Sequence, residues 1–519
     1  MKGTRKKFSF CERLVLAAII CTGVTFSSLA VAQQSSQDFP KELDDYVAAT
    51  VRDWEIPGLA LAVVKDGKVI VARGYGVREL GKPESVDENT VFDAASLTKS
   101  FTVAAIASLV DEKKMSWDEP VRRYIPAIEF PDPYLTANIT MRDLLCHRTG
   151  VRATNSAWYF TNVNRSQLIG LIKNMEIAAP FRTQSVYSNI GFTIAGEAAA
   201  RAAGTTWDDL ITQRLIVPLG MKRTTAVFAL SPAMGNIASG HALINGVQRV
   251  TPREGTPRET TAPAGAIQSS AADLATWMIF QLGDGTFQGK RILSAEAMNE
   301  MHSPQIIIPA NEAFRTARQV KYFGGYGLGW QVMDYRGNRI LWHSGAGDGQ
   351  TAFLVLLPDS HFGVVVLVNS WKAGPALNNA IASRIMDYYL GLPTRDYSAE
   401  YRESWKRSIQ QQVEAVRKFE ASQLKGTTPT LSLSQYAGVY RDKLGLDVKV
   451  WLEGDTLRLQ YGGGEIAVLT HWHRDTFRAQ WQNPLHAEQR SALVQFNISP
   501  QGTIAELTMD PGDRITAHR

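Results

Sequence analysis

Cysteine is scarce in this sequence, and its distribution excludes a disulfide scaffold. The 519 residues include three cysteines, two of which lie within residues 1–32. That segment has basic residues, then an apolar run, then Ala-Val-Ala, which is the pattern of a secretory signal peptide with its cleavage site. We expect the mature chain to begin at Gln33. Cys146 is then alone, so no intrachain disulfide can form.

Long hydrophobic runs and a strong charge excess are also missing. The apolar run at residues 14–26 has 13 residues, fewer than the ~20 that a membrane-spanning helix needs. A retained single-pass anchor is the alternative, but the short run favours cleavage and a periplasmic or secreted protein with no stable membrane span. Without residues 1–32 the formal charge falls from +5 to about +1. We therefore expect no nucleic-acid partner.

The order of strands and helices predicts an α+β fold for residues 33–392. An Asp-Gly pair at 66–67 between apolar runs is a hairpin signal. Strands return late, at residues 339–343, 351–357 and 363–368, and a helical middle separates them from the early hairpin. We expect both ends to join one antiparallel sheet flanked by helices, with the middle forming a helical lobe.

Two further segments follow this domain. Residues 393–430 are rich in Glu, Lys, Arg and Gln, which indicates a solvated helix or a linker. From 431 to 519, apolar residues alternate with polar ones over several short stretches. This pattern predicts a small β-barrel or β-sandwich domain.

Ser96 and Lys99 are the clearest candidates for chemistry. In a helix, residues three apart share a face, so the lysine can reach the serine oxygen. Such a two-residue pattern should occur about once or twice by chance, and Ser422 with Lys425 indeed repeats it in a charged stretch before a helix end. Small and apolar residues at 101–110 instead predict a buried helix after Ser96. This context favours Ser96 as the nucleophile.

Tyr187 is the candidate for sharing the serine proton with Lys99. Lysine is a poor base at its ordinary pKa of ~10.4, and both burial and a second group would help it. Tyr187 and Asn189 stand before a predicted helix. Taken alone, this motif is more simply explained as a core tyrosine followed by a helix cap.

His343, Ser344 and Gly345 end a predicted strand and supply the third element. A glycine there lets a substrate lie along the strand edge. The backbone N–H groups of Ser96 and Ala346 are then the candidates for an oxyanion hole. His361 and Gly363 repeat the pattern after a turn, where we expect a structural role.

Together, the three motifs resemble those of serine hydrolases related to class C β-lactamases and penicillin-binding DD-peptidases. The resemblance covers residues 40–390, and the C-terminal β domain is similar to one appended to many such hydrolases. The motifs and the supporting stretches are Ser96-x-x-Lys99, Tyr187-x-Asn189, His343-x-Gly345 and residues 141–150, 218–221, 262–266 and 326–330.

The resemblance implies the α/β-type serine β-lactamase fold. It also implies an acyl-enzyme on Ser96, with Lys99 and Tyr187 moving protons and with Asn189 and His343 orienting the substrate. Relatives that are β-lactamases carry Lys-Thr-Gly where this chain has residues 343–345, a form found among peptidases and esterases of the group. We expect hydrolysis of amide bonds in peptides, including D-residue peptides. The alternatives are an esterase or β-lactamase, and a penicillin-binding sensor that acylates without turnover.

Other candidates are weaker, and no cofactor or metal is expected. His471 and His473 alternate on a predicted strand, but no cysteine or carboxylate completes a metal site. Cys146 is expected in the core, whereas His147 and Asp348 are candidates for lining the cleft. The substrate is expected to be a peptide or another small molecule, and the oligomeric state stays open.

Overall fold

A computed structural model describes residues 39–519, apart from 245–246, 254–257, 310–323, 372–373, 484–492 and 511–513. The expected signal peptide, residues 1–32, lies outside the described residues. Within the described part of the chain, no helix has the length and apolar character needed to cross a membrane.

The helices run through the first four-fifths of the chain and become rare after it. In chain order they are α1 Lys41–Asp53, α2 Thr98–Asp111, α3 Pro133–Asn138, α4 Met141–Leu145, α5 Ser156–Tyr159, α6 Arg165–Leu171, α7 Asn189–Ala203, α8 Trp207–Ile211, α9 Ala262–Gly265, α10 Ala271–Leu282, α11 Ala295–His302, α12 Gly374–Tyr389, α13 Tyr397–Ala421 and α14 Leu433–Tyr436.

The strands form an early group, a late group and a C-terminal group. In chain order they are β1 Gly58–Lys65, β2 Lys68–Gly76, β3 Phe92–Asp93, β4 His241–Ile244, β5 Val247–Val250, β6 Gln268–Ser269, β7 Thr286–Phe287, β8 Lys290–Arg291, β9 Ile306–Ile307, β10 Gly324–Tyr326, β11 Gln331–Tyr335, β12 Asn338–Gly347, β13 Gln350–Leu357, β14 Phe362–Val368, β15 Gly438–Asp442, β16 Asp447–Glu453, β17 Thr456–Tyr461, β18 Ile466–His473, β19 Thr476–Trp481, β20 Leu493–Ile498, β21 Ile504–Met509 and β22 Ile515–His518.

The main sheet joins the early and late strands in the order β2-β1-β14-β13-β12-β11-β10-β9. Its pairs are antiparallel, and Leu61 of β1 lies opposite Val366 of β14. The β1–β2 turn uses Asp66 and Gly67, both with positive φ, as a two-residue type I′ hairpin requires. The prediction of an α+β fold with one antiparallel sheet is therefore confirmed.

Both faces of this sheet are buried, which explains the continuous apolar runs of its strands. Leu61 and its alternate neighbours pack with apolar residues of α1 and α12, such as Leu43 and Ile381. Ala62 on the opposite face packs with the cluster that contains α2 and α10. Helix α2 thus lies between the sheet and the helical lobe.

The C-terminal strands β15–β22 close into an eight-stranded barrel. Alternate residues such as Leu457, Leu459 and Tyr461 are buried in its interior, so the period-two pattern selects inward-facing positions. Of the two architectures left open by the sequence, the barrel is correct. Helix α13 connects it to the main domain.

One apolar residue of the barrel is buried in the apolar cluster of the main domain, and one of the main domain is buried in that of the barrel. Phe160 of the main domain belongs to the barrel's apolar cluster, and its ring centroid is 5.2 Å from that of Trp481. In return, Leu444 of the barrel belongs to the main apolar cluster, and its carbonyl accepts a hydrogen bond from Asn174 Nδ2 at 3.0 Å. These two contacts hold the barrel against the segment around Phe160.

Candidate active site

Ser96 lies in a short 3₁₀ turn, Ala95–Leu97, that leads directly into α2. Lys99 is in the first turn of α2, and its Nζ is 3.0 Å from Ser96 Oγ. All residues from Thr98 to Leu109 are buried, so this helix has no solvent face along which it could shift. The structure therefore brings Ser96 and Lys99 together on a rigid element.

Lys99 is 0% exposed, and its amine contacts only neutral groups. Its Nζ is 2.8 Å from Asn189 Oδ1 and 2.9 Å from the carbonyl oxygen of Ala264. No carboxylate among the described residues forms an ion pair with it. Burial holds the pKa of Lys99 well below its ordinary value. A neutral amine has two hydrogens, so donation to Asn189 and Ala264 leaves its lone pair for the Ser96 hydroxyl.

Tyr187 is 44% exposed and lies against the serine. Its hydroxyl donates to Ser96 Oγ at 3.1 Å, while its ring forms a wall beside the Lys99 amine, 4.8 Å from Nζ. Desolvation of the hydroxyl raises the pKa of Tyr187, so the phenol is protonated at neutral pH. Tyr187 can thus supply a proton at this position, and the Lys99 amine can accept one.

The N-terminus of α7 orients Asn189. The Ser188 side chain caps this helix by accepting the Gly191 N–H at 3.0 Å, so the helix begins at Asn189. The Ser188 N–H in turn donates to His147 Nδ1 at 3.1 Å. His147 is 1% exposed and its ring centroid is 4.3 Å from that of Tyr187. It therefore supports the Tyr187 ring from the protein interior, and the prediction that it is exposed in a cleft is not favoured by this burial.

His343 is buried, and both of its ring nitrogens are engaged. Nδ1 is 2.6 Å from the Ser344 carbonyl, which can only accept, so Nε2 at 2.9 Å accepts from the Tyr326 hydroxyl. Burial lowers the pKa of His343 to about 3. The neutral imidazole fixes β12 internally and offers no free N–H to a substrate. Substrate orientation by His343 stays a prediction that these contacts do not favour.

Gly345 is required by the turn that precedes Ser96. A Cβ on Gly345 would lie 2.3 Å from the carbonyl oxygen of Ala94. This close approach brings the β12 backbone against the turn that carries Ser96. The next residue, Ala346, is exposed and is the second expected oxyanion donor. Pairing of β12 with β11 stops at Trp342. The β12 edge from His343 to Gly347 is therefore left without a partner among the described strands on that side.

The turn before Ser96 is strained and is held by a residue that sequence reasoning missed. Ala95 has φ +45°, which is uncommon for a residue with a side chain. Asp93 Oδ1 accepts the Ala95 N–H at 2.8 Å, and Asp93 Oδ2 is 2.8 Å from Arg258 Nη2. The two partners are 165 positions apart, so no local sequence signal indicates this pair.

The duplicate motifs do not form sites. Ser422 Oγ donates to the Phe419 carbonyl, and Lys425 Nζ contacts Gln423 Oε1, so this serine and lysine are not paired with each other. His361 lies in the turn before β14.

The metal and thiol candidates are structural as well. A bulge between His471 and His473 breaks the alternation that would have put them on one face. No cluster of three metal-ligating residues occurs among the described residues. Cys146 is fully buried, and burial raises the pKa of its thiol to about 12.

Fold and site together define a protein of the β-lactamase class. The family model described as Beta-lactamase matches residues 43–385, and one described as a domain of unknown function (DUF3471) matches residues 422–518. The chain belongs to the β-lactamase family and is a hydrolase of the β-lactamase fold.

Particular relatives fit this assignment. The chain is 26% identical over 427 residues to Unguisins hydrolase ungD' of Aspergillus campestris, covering 79% of this chain and 78% of that one. It is 25% identical over 340 residues to Protein flp of Staphylococcus aureus, covering 64% of each.

Solved structures share the fold over nearly the whole chain. The octameric penicillin-binding protein homologue from Pyrococcus abyssi has a TM-score of 0.61 at 21% identity, covering 92% of this chain and 99% of that one. The SurE structure has a TM-score of 0.55 at 21% identity, covering 92% and 98%.

Proposed function

We propose that this protein is a serine hydrolase that cleaves amide bonds of peptides, including D-residue peptides, through an acyl-enzyme on Ser96. The observation that carries the proposal is the state of Lys99. Its amine is fully buried, its pKa is held well below the ordinary value, and it lies 3.0 Å from Ser96 Oγ. A buried amine whose charged form is disfavoured, in contact with a serine hydroxyl, is suited to act as the general base for that serine.

Acylation begins when Lys99 takes the Ser96 proton as Oγ attacks the substrate carbonyl carbon. The carbonyl electron pair moves onto its oxygen, where the N–H groups of Ser96 and Ala346 are the proposed donors. As the tetrahedral intermediate collapses, the C–N bond breaks and the leaving amine takes the Tyr187 proton. The Lys99 ammonium then returns a proton to the Tyr187 phenolate, which restores both groups.

Deacylation uses the same groups with water as the nucleophile. Lys99 takes a proton from the attacking water. When the ester bond breaks, Ser96 Oγ takes the Tyr187 proton, which the Lys99 ammonium then replaces. Asn189 stays hydrogen-bonded to the Lys99 amine at 2.8 Å, so it keeps the base oriented through both halves of the cycle. No cofactor takes part in these steps.

An extended substrate is proposed to pair with the open edge of β12. Residues 343–347 have no strand partner on the β11 side within the described chain, and backbone pairing there would hold the scissile carbonyl near Ser96. The name of the relative Unguisins hydrolase ungD' supports hydrolysis as the reaction type. Residues 1–32 support a periplasmic or secreted location within the same proposal.

The experiment compares wild type, Ser96→Ala and the matched control Ser422→Ala on three substrates. They are a fluorescent penicillin, a chromogenic ester and a library of peptides with and without D-residues. We expect wild type and Ser422→Ala to turn over peptides, and Ser96→Ala to lose at least about 10³-fold in rate.

Each other outcome contradicts a defined part of the proposal. Equal hydrolysis by Ser96→Ala would remove the nucleophile assignment. Labelling by penicillin with no turnover of any substrate would indicate a sensor that acylates only. Turnover of the ester or of the penicillin, with none of the peptides, would replace the proposed substrate class.

A further inference from the structure

A series of buried polar side chains, which the proposed reaction does not use, packs against the turn that carries Ser96. It begins at Asp93, which accepts the Ala95 N–H at 2.8 Å and the Gln268 Nε2–H at 3.0 Å. Arg258 is 8% exposed, and its Nη2 lies 2.8 Å from Asp93 Oδ2. The guanidinium therefore compensates the buried carboxylate that holds the strained turn before Ser96.

This series of polar side chains extends to the end of β12 at which Ala346 lies. Asp348, two residues after Ala346, has its Oδ2 3.9 Å from the same Arg258 nitrogen. A Cβ on the intervening Gly347 would lie 1.9 Å from Asp93 Oδ2, so the strand end and the ion pair fit closely. The two proposed oxyanion donors, Ser96 and Ala346, thus flank one polar cluster.

Tyr159 connects this cluster to the C-terminal barrel. Its hydroxyl donates to Asp348 Oδ1 at 2.7 Å, and the next residue, Phe160, is part of the barrel's apolar cluster. The barrel turn between β17 and β18 lies on the same segment, because Asn162 N–H donates to the Gly462 carbonyl at 3.1 Å. A Cβ on Gly462 would lie 2.6 Å from Thr161 Cγ2.

We propose that Tyr159 is a positioning residue through which the C-terminal barrel fixes the Ala346 end of β12 and the turn before Ser96. The inference rests on the proposed acylation of Ser96, to which it adds a role for the barrel. Displacement of a preorganised site by about 1 Å can cost about 10²-fold in rate. A barrel that holds residues 159–162 therefore affects acylation without touching the substrate.

The test uses two perturbations and one matched control in the full-length chain. Tyr159→Phe removes the hydroxyl bonded to Asp348 and keeps the ring. Gly462→Ala pushes the barrel turn against Thr161. Gly454→Ala is the control, because Gly454 has a similar positive φ of 58° in a neighbouring barrel turn and no atom within 4 Å of its added Cβ.

Two readouts are measured on each variant. The first is labelling by a rhodamine-tagged fluorophosphonate, from which the maximal rate kinact and the half-saturating concentration KI are obtained. We expect kinact to fall about tenfold in Tyr159→Phe and Gly462→Ala with KI unchanged, because neither residue touches the probe. The second is amide hydrogen exchange, which we expect to rise in peptides covering residues 92–97 and 343–350.

The double variant, Tyr159→Phe with Gly462→Ala, tests whether the two substitutions act through the same contact. If the barrel acts through Tyr159, Gly462→Ala adds little to Tyr159→Phe, whereas independent effects multiply. The inference is overturned if Gly462→Ala behaves like Gly454→Ala, or if the two effects on kinact multiply. Failure of wild type to label would overturn the proposed acylation, while the exchange readout still tests whether Tyr159 holds the two segments.

Discussion

Burial of the Lys99 side chain favours its use as a base, because burial holds the pKa of the amine well below its ordinary value. The Lys99 amine contacts two oxygen acceptors and a hydroxyl, and it has no ion-pair partner among the described residues. In the unfolded chain the same amine is exposed and titrates at about 10.4. Folding therefore lowers the pKa of this amine, and the stability of the native state depends on pH through this group.

This dependence can be measured by comparing wild type with Lys99→Met. Between the lowered native pKa and the ordinary value, the unfolded wild type binds one more proton than the native state. The free energy of unfolding of wild type should therefore rise with pH relative to the variant, by up to about 1.4 kcal/mol per pH unit. Urea unfolding at pH 6, 7.5 and 9 measures it. A difference independent of pH would mean that Lys99 is charged in the native state.

At this scale, sequence spacing located the residues whose partners are close along the chain. Ser96 and Lys99 were predicted to meet because i and i+3 share a helix face, and they do. The contact between His343 and Tyr326 escaped prediction because Tyr326 reaches it from another strand. The pairing of Asp93 with Arg258 depends likewise on tertiary packing.

At the scale of elements, the site depends on how closely β12 approaches the turn before Ser96. That approach is possible because residue 345 has no side chain. The sequence suggested that this glycine leaves room for the substrate. In the structure, the space that a side chain would fill is occupied by the Ala94 carbonyl.

Gly345→Ala should therefore act on catalysis through the nucleophile turn. Its Cβ would lie 2.3 Å from Ala94 O, so the turn must move, and we expect the acylation rate to fall by about 10²-fold. Gly170→Ala is the matched control, since Gly170 lies in α6 with no atom within 4 Å of an added Cβ, and it should leave the rate unchanged. Stopped-flow labelling measures both, with circular dichroism as the check on folding. An unchanged rate in Gly345→Ala would show that the turn tolerates displacement.

The predictability of the elements follows their length and burial. The β1–β2 hairpin is predicted by its Asp-Gly turn, and the ends of β13 and β14 are predicted to within one residue. The two-residue strands, such as β3 and β6, were not predicted. They are too short to show a period, and β3 forms where Phe92 meets Ser269 in the folded chain.

At the scale of the whole molecule, the barrel and the main domain are held together by apolar residues that each domain buries in the other. The sequence indicated a β domain after a charged segment but gave no sign of how it docks. Phe160 and Leu444 are each buried in the apolar cluster of the other domain. A single such residue forms no periodic pattern, so the sequence does not distinguish it from a core residue of its own domain.

Phe160→Ala tests this docking. Phe160 is 9% exposed, and truncating a buried phenylalanine costs about 3 kcal/mol in the free energy of unfolding. We expect a lower midpoint in thermal unfolding, measured by calorimetry. Tyr134→Ala, at a side chain that is 64% exposed, should change the midpoint little. Equal midpoints for Phe160→Ala and wild type would contradict the docking contact.

The central claim is that Ser96 is acylated with buried Lys99 as its base. It is tested most directly by mass spectrometry of the protein after reaction with a fluorophosphonate, with peptide mapping of the adduct. We expect one adduct, on the peptide that contains Ser96, formed at least about 10³-fold more slowly in Lys99→Met. An adduct on any other residue, or an equal rate in Lys99→Met, would contradict the claim.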